Sequence, residues 1–428
     1  MAHLTVRSAY KDLVDRINRF PQGAPPSELL YKILGILFSE KEAEFVSKLS
    51  IKPFTAKKAA RLTGKSLNEA EIILDQLASR GLLLDTEING TSHYTLPPPM
   101  AGFFEFSMMR VRNDIDQKLL AELFYQYLNV EEDFIRELFT NCETKLGRVF
   151  VNEQAINNGA NLHVLDYERA SEVIKTASHI GVGICYCRHK MEHLGKACNA
   201  PMKICLTFNE AGASLIKHKI ARQIDAIEGH DLLQTAYDNN LVQFGENAQE
   251  KVNFICNCCG CRCEAMLAAK RFGFLNPVHT TNYLPEIEDE KCNGCGKCVE
   301  ICPVEAMTLV SANDLIKKKK KKAKINDEVC LGCGLCVRVC KTDGIKLTER
   351  SERVITPINS VHRVVMAAIE KGMLQNLIFD SHALWNHRAM AAILGVILRL
   401  PPIKQALASE QVKSRYLGYL ISNNYIHQ

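Results

Sequence analysis

Cys292-Asn-Gly-Cys295-Gly-Lys-Cys298-Val-Glu-Ile-Cys302-Pro303, followed after a spacer by Cys330-Leu-Gly-Cys333-Gly-Leu-Cys336-Val-Arg-Val-Cys340, decides how this chain is read. Each half has the spacing C-x2-C-x2-C-x3-C, in which a short loop supplies three ligands to an iron–sulfur cubane and its fourth cysteine crosses to the other cluster. Soft thiolates suit iron–sulfur cores, and Gly294, Gly296, Gly332 and Gly334 let the backbone turn tightly around the cube. The crossover rule groups Cys292, Cys295 and Cys298 with Cys340, and Cys330, Cys333 and Cys336 with Cys302. A pair of zinc knuckles is the competing reading, and it lacks this three-plus-one spacing.

The tandem run resembles the bacterial two-cluster ferredoxins over residues 285–349. Pro303 follows the first half, whereas Lys341 stands where a second proline is common. That residue is not a ligand, so the departure bears on loop rigidity rather than on cluster binding.

At 428 residues the chain has material for two to four domains, and 47% hydrophobic with 24% charged residues is an ordinary globular composition. The anomaly is its 18 cysteines. Clustered as C-x-C and C-x2-C, they argue against a disulfide framework and for metal in a reducing compartment. Met1 to Phe20 mixes charges throughout and lacks a secretory apolar core. No uncharged apolar run reaches the ~18 residues of a membrane span; Met390–Leu400 comes nearest and carries Arg399. A cytoplasmic protein of an anaerobe or protected niche is expected. Of the net charge of +5, the segment Lys291–Glu349 holds twelve Lys/Arg against seven Asp/Glu, partly balancing the negative charge of the clusters.

The expected fold class is α+β and multidomain. It comprises an N-terminal helix (1–26), a winged-helix-like domain (27–98), a helical connector (99–165), a helical Cys-rich module (166–284), a ferredoxin-like dicluster domain (285–349) and a helical tail (350–428). Within 27–98, Ser66 with Glu69 has capping-box spacing for a helix to Arg80, and Asn89-Gly90 marks a hairpin. This order resembles the winged helix-turn-helix domains of small bacterial regulators. The helix that would enter a DNA groove carries Glu69, Glu71 and Asp75, a handicap for phosphate contact. A docking or dimerisation role is therefore favoured over nucleic-acid binding. Phe103, Phe104 and Phe106 read as a core plug, and Cys142 as a buried lone thiol.

Nine further cysteines fall within 79 residues: Cys185, Cys187, Cys198 and Cys205, then Cys256, Cys258, Cys259, Cys261 and Cys263. The two blocks are expected to meet in space and to hold one or two additional Fe–S clusters. In extended backbone Cys256 and Cys258 would share one face, and Cys259, Cys261 and Cys263 the other. The alternative is a structural zinc site of Cys185, Cys187, Cys198 and Cys205. Arg188, His189, His193 and Arg262 could tune the thiolates; histidine ligation is disfavoured, and no c-type haem motif occurs. The combined pattern resembles a group of large 4Fe–4S proteins of anaerobic bacteria over about 160–350, which implies electron transfer without naming a substrate.

Lys317, Lys318, Lys319, Lys320, Lys321 and Lys322 lie between the two ferredoxin runs, between a pair of short strands. They read either as a solvated loop or as a surface steering an acidic redox partner. There is no nucleophile triad, general acid–base pair or GxGxxG loop, so a multi-cluster electron carrier is expected rather than a stand-alone enzyme. The competing classes are a redox-sensing transcription regulator and a reductase with a substrate site on an extra cluster.

Overall fold

The structure is a computed structural model and describes residues 2–156, 164–312, 321–381 and 384–398. Lys317–Lys320 and the expected helix Leu407–Ile421 lie outside the described residues.

The N-terminal part runs α1 (Ala2–Ile17), α2 (Glu28–Leu37), α3 (Glu40–Ser47), β1 (Phe54–Thr55), α4 (Ala56–Thr63), α5 (Leu67–Ser79), β2 (Leu84–Ile88) and β3 (Thr91–Thr95). Helix starts follow the capping residues: Ser39 with Glu42 and Ser66 with Glu69 form reciprocal boxes, and Thr55 caps α4. Gly64 ends α4 in the left-handed conformation, and Asn89-Gly90 turns β2 into β3 with positive φ at both residues. The three strands form a sheet in the order β1-β3-β2.

Helices α6 (Phe104–Met108), α7 (Gln117–Tyr125) and α8 (Asp133–Thr140) follow. Phe103 and Phe104 are fully buried, and their rings meet Phe38, Phe124, Tyr127 and Phe134. The aromatic run is therefore a core plug joining the N-terminal helices to the rest.

The next region departs from the expected helical module. It is built on a six-stranded sheet, ordered β4-β8-β9-β6-β5-β7, with every neighbouring pair antiparallel. Its elements are β4 (Gly147–Val149), α9 (Ala170–Thr176), β5 (Ile180–Ile184), α10 (Tyr186–His193), β6 (Lys203–Phe208), α11 (Asn209–Lys217), β7 (Arg222–Gln223), α12 (Ala226–Asp238), β8 (Val242–Glu246), β9 (Phe254–Cys258) and α13 (Glu264–Phe272). Apart from the exposed edge strand β7, the strands are short and largely buried, so they lack the clear apolar–polar alternation that betrays a half-exposed strand. β8 is buried at all five residues. Ala170 and Ile174 of α9 and Leu233 and Tyr237 of α12 pack on Val182, Leu206 and Ile255. Leu215 of α11, with Phe106 and Met109, packs against Cys205 and Cys256 on the other face.

The last described part holds β10 (Tyr283–Ile287), α14 (Lys297–Ile301), β11 (Met307–Ser311), β12 (Lys321–Ile325), α15 (Leu335–Arg338), β13 (Ile345–Glu349), α16 (Ser360–Glu370), α17 (Leu374–Ile378) and α18 (Trp385–Leu398). β10 pairs with β13 and β11 with β12, both antiparallel. Cys142 is half-buried and donates to Glu370 of α16 at 2.6 Å, where burial and that carboxylate push its thiol up to about 12. No described helix is long and apolar enough to cross a membrane.

Asp85 of β2 fastens the N-terminal part to the sheet. Its carboxylate is 2% exposed and accepts from Ser214 at 2.6 Å, from His218 at 2.9 Å and from Lys217. Burial opposes its charge, but these three donors outweigh burial and hold its pKa below the ordinary carboxylate value. The contribution is thus present above an unfolded pKa of about 3.9 and is lost as pH falls through the lower folded value. We expect Asp85→Asn to lower stability by about 2 kcal/mol at neutral pH. The gap between variant and parent in urea unfolding should begin to narrow as the buffer is taken below about pH 4.

Candidate metal centre

Both ferredoxin loops lead into short helices through left-handed glycines, Gly296 before α14 and Gly334 before α15. The tightest demand falls on Gly332, at φ +67°, where a Cβ would lie 2.2 Å from the Tyr283 carbonyl oxygen and 2.1 Å from the Thr281 hydroxyl. Gly294 is comparable, with the Lys321 carbonyl oxygen 2.2 Å from a Cβ position. Backbone amides point at the sulfurs: Ala306 to Cys302 at 3.2 Å, Gly332 to Cys330 at 3.4 Å and Ala323 to Cys292 at 3.5 Å. Amide donors of this kind stabilise thiolate charge and tune cluster potential. The donor chemistry and the glycine cradles therefore fit cubane clusters. Cys302 lies within electrostatic reach of Cys330, Cys333 and Cys336, although it belongs to the first run. Cys292 and Cys295 neighbour Cys298, and Cys340 packs on the small apolar core that contains Cys298.

Of the lysine run, Lys321 and Lys322 fall among the described residues. Lys321 and Lys322 belong to β12 rather than to a free loop, and Lys322 is paired with Asp289.

The nine other thiols gather at one end of the six-stranded sheet, and the strand directions explain why. β5 runs into Cys185, its antiparallel neighbour β6 begins just before Cys205, and β9, antiparallel to β6, ends at Cys258. The pairing Leu206–Ile255 places Cys205 opposite Cys256, with sulfurs 3.8 Å apart. Cys187, in the first turn of α10, reaches Cys185 and Cys263, and Cys263 lies 3.1 Å from Cys258. Cys185, Cys187, Cys263, Cys258, Cys256 and Cys205 thus form a continuous series. Cys198, Cys259 and Cys261 form a second set, all three sulfurs within 4.8 Å of one another.

Two expectations are corrected here. The extended-backbone partition keeps Cys256 with Cys258 and Cys259 with Cys261 but loses Cys263, because β9 stops at Cys258, the chain turns through Gly260, and Cys263 returns beside Cys258 as the residue before α13. The four-cysteine zinc alternative also fails, since Cys198 sits with Cys259 and Cys261 while Cys205 sits with Cys256.

Lys190, Glu264 and Asn129 help to hold these thiols and were not singled out from the sequence. Lys190 of α10 and Glu264 of α13 form an ion pair, 1% and 4% exposed, and Asn129 bridges both at 2.7 Å. This lock joins the helix that carries Cys187 to the helix that begins after Cys263. Arg188 is 1% exposed and donates twice to the Asn257 carbonyl at 3.2 Å. Burial disfavours its charge, yet Cys185, Cys259 and Cys258 raise its pKa above the usual arginine value. It is the buried positive charge between the two sets. His189 is engaged with the Met108 carbonyl at 2.7 Å, and Arg262 donates to the Cys261 carbonyl at 2.9 Å.

The two regions share one interior. A single apolar cluster contains Cys258 and Cys263 of the sheet and Cys330 of the ferredoxin loops, with Cys187, Cys256, Cys302 and Cys333 packed against it. A Cβ on Gly260 would stand 2.7 Å from Pro303 Cα, so the Cys259–Cys261 turn lies directly against the residue after Cys302.

Comparison with known proteins defines the class of one region. Residues 291–343 match the 4Fe-4S dicluster domain family, and this part of the chain is an iron–sulfur domain of that kind. Over 36 residues the chain is 56% identical to one component of the Na(+)-translocating ferredoxin:NAD(+) oxidoreductase complex of Acetobacterium woodii. The aligned part is 8% of this chain and 11% of that protein, so the chain spans about a tenth of its relative's length. No solved structure matches the chain.

Removing one partner from a buried ion pair leaves an uncompensated charge, at a cost of about 3–5 kcal/mol. We expect Lys190→Met to destabilise the protein by that amount in anaerobic denaturant titration. The double variant Lys190→Met/Glu264→Leu should recover most of the loss.

Proposed function

We propose that this chain relays single electrons through iron–sulfur centres in two adjoining regions. Cys292, Cys295, Cys298 and Cys340 would hold one 4Fe–4S cluster, and Cys330, Cys333, Cys336 and Cys302 the second. Cys185, Cys187, Cys205, Cys256, Cys258 and Cys263 would hold a further Fe–S centre, since the series supplies more than the four thiolates a cubane requires. Such clusters, when bound, accept and release one electron at a time. The chain's own residues exclude water from the shared interior, orient the thiolates and set the local charge through Arg188 and the backbone amides.

The observation that carries this reading is the shared interior, with the Cys259–Cys261 turn against Pro303 and cysteines of both regions in one apolar cluster. Centres held there would be neighbours, as electron transfer between them requires. The relative described above belongs to a ferredoxin:NAD(+) oxidoreductase complex, which supports a redox partner for this chain without naming it.

The capped helices and three-stranded sheet of the N-terminal part support the winged-helix reading. We interpret it as a docking module, because Asp85 of the wing is buried against α11 and α5 presents Glu69, Glu71 and Asp75.

Iron and acid-labile sulfide counted per chain in anaerobically purified protein test the proposal. About twelve irons with matching sulfide are expected. About eight would leave the sheet thiols without iron and end the relay through them.

A further inference from the structure

The two sets of sheet thiols differ in shape: the six run as a series with close pairs at Cys205–Cys256 and Cys258–Cys263, whereas the three gather around one point. In a tetrahedral site with metal–sulfur bonds of about 2.3 Å, thiolates sharing one ion stand about 3.8 Å apart. Cys198 and Cys259 have their sulfurs 3.8 Å apart, and Cys261 lies within 4.8 Å of both. Among the described residues, no other three His, Cys, Asp or Glu donors gather this closely, the dicluster cysteines included. The six-thiol series is strung out along the sheet end and closes into no such triad, so its ligands can be shared among the separate irons of a cluster.

We propose that Cys198, Cys259 and Cys261 hold a single thiophilic divalent ion, zinc, in a site of its own. The fourth position of this site is open to solvent beside Cys261. The surroundings fit such a site on three counts. Ile204, Ala236 and Leu241 form an apolar floor with Cys259, so the inner side offers no further donor. Cys261 is exposed, which places the free coordination position outward. Three thiolates on a divalent ion carry one net negative charge, and the buried Arg188 guanidinium, in contact with Cys259 and close to Cys198, offsets it.

The sheet itself separates this ion from the other thiols. Ile204 and Leu206 look toward α12, whereas Cys205 between them looks toward Cys256 and the α11 face. The ion would clamp the turn that lies against Pro303 and leave one position for a solvent molecule or a small exogenous donor. This assignment is additional to the electron relay and does not require it.

The test uses the full chain purified anaerobically, with zinc, iron and sulfide measured together on the parent and on Cys198→Ser and Cys261→Ser. About one zinc per chain is expected in the parent. Zinc occupancy should fall at least tenfold in each variant, with iron and sulfide unchanged. Cobalt(II) loaded in place of zinc should give the intense visible bands of a tetrahedral thiolate site, and imidazole should shift them by taking the fourth position. Cys261 is exposed, so its variant remains informative if Cys198→Ser does not fold. Loss of about four irons in either variant would make these cysteines cubane ligands and overturn the proposal. Zinc that is absent from the parent, or retained in both variants, would overturn it as well. Absence of iron from all samples would instead defeat the electron-relay reading and leave the zinc result to be judged alone.

Discussion

Antiparallel pairing of β6 with β9 puts Cys205 opposite Cys256, and most of what this molecule can do depends on that register. A slip of one residue would turn Cys205 to the other face of the sheet and exchange it with Ile204 or Leu206. The thiols from two blocks of sequence would then no longer meet. Strand pairing also explains why the register is secure. The faces of β6 are buried against different partners, α12 on one side and α11 with Phe106 and Met109 on the other, so each residue has one acceptable direction.

Concentrating so many thiols at one end of a sheet creates an electrostatic problem that the fold answers with few groups. Arg188 is the buried cation among the sulfurs, while Lys190 is committed to Glu264 and Asn129 and acts as a mechanical tie between α10 and α13. Nearby residues on one helix thus divide the work: one supplies charge to the sulfurs, and the other fixes the backbone that carries them. On the ferredoxin side the charge is met differently, by backbone amides aimed at Cys292, Cys302 and Cys330 around glycines that leave no room for a side chain.

The dicluster region was the most legible part of the sequence, because its ligands are local and the glycines beside them have a single structural use. The N-terminal elements are legible for a similar reason: Ser66 with Glu69 and Asn89-Gly90 act on residues within a turn of themselves. The Cys-rich region was misjudged as helical. Its strands, the exposed edge β7 apart, are short and largely buried, and helices α9 to α12 lie between them. The density of the two cysteine blocks points to their meeting in space, whereas the place of Cys263 in a series of six, apart from Cys259 and Cys261, does not follow from it. That division depends on where β9 ends and how the chain turns at Gly260, which is set by the approach to Pro303, far along the chain. The Lys190–Glu264 tie was invisible for the same reason, since its partners are separated by 74 residues.

The central claim is that redox centres in the sheet and in the ferredoxin loops are near neighbours within one interior. Electron paramagnetic resonance of the fully reduced protein tests it most directly. The account predicts a spectrum broadened by magnetic coupling among three reduced centres, which simplifies when Cys256→Ser removes the sheet centre. A spectrum that the two ferredoxin clusters alone reproduce, and that Cys256→Ser leaves unchanged, would contradict it.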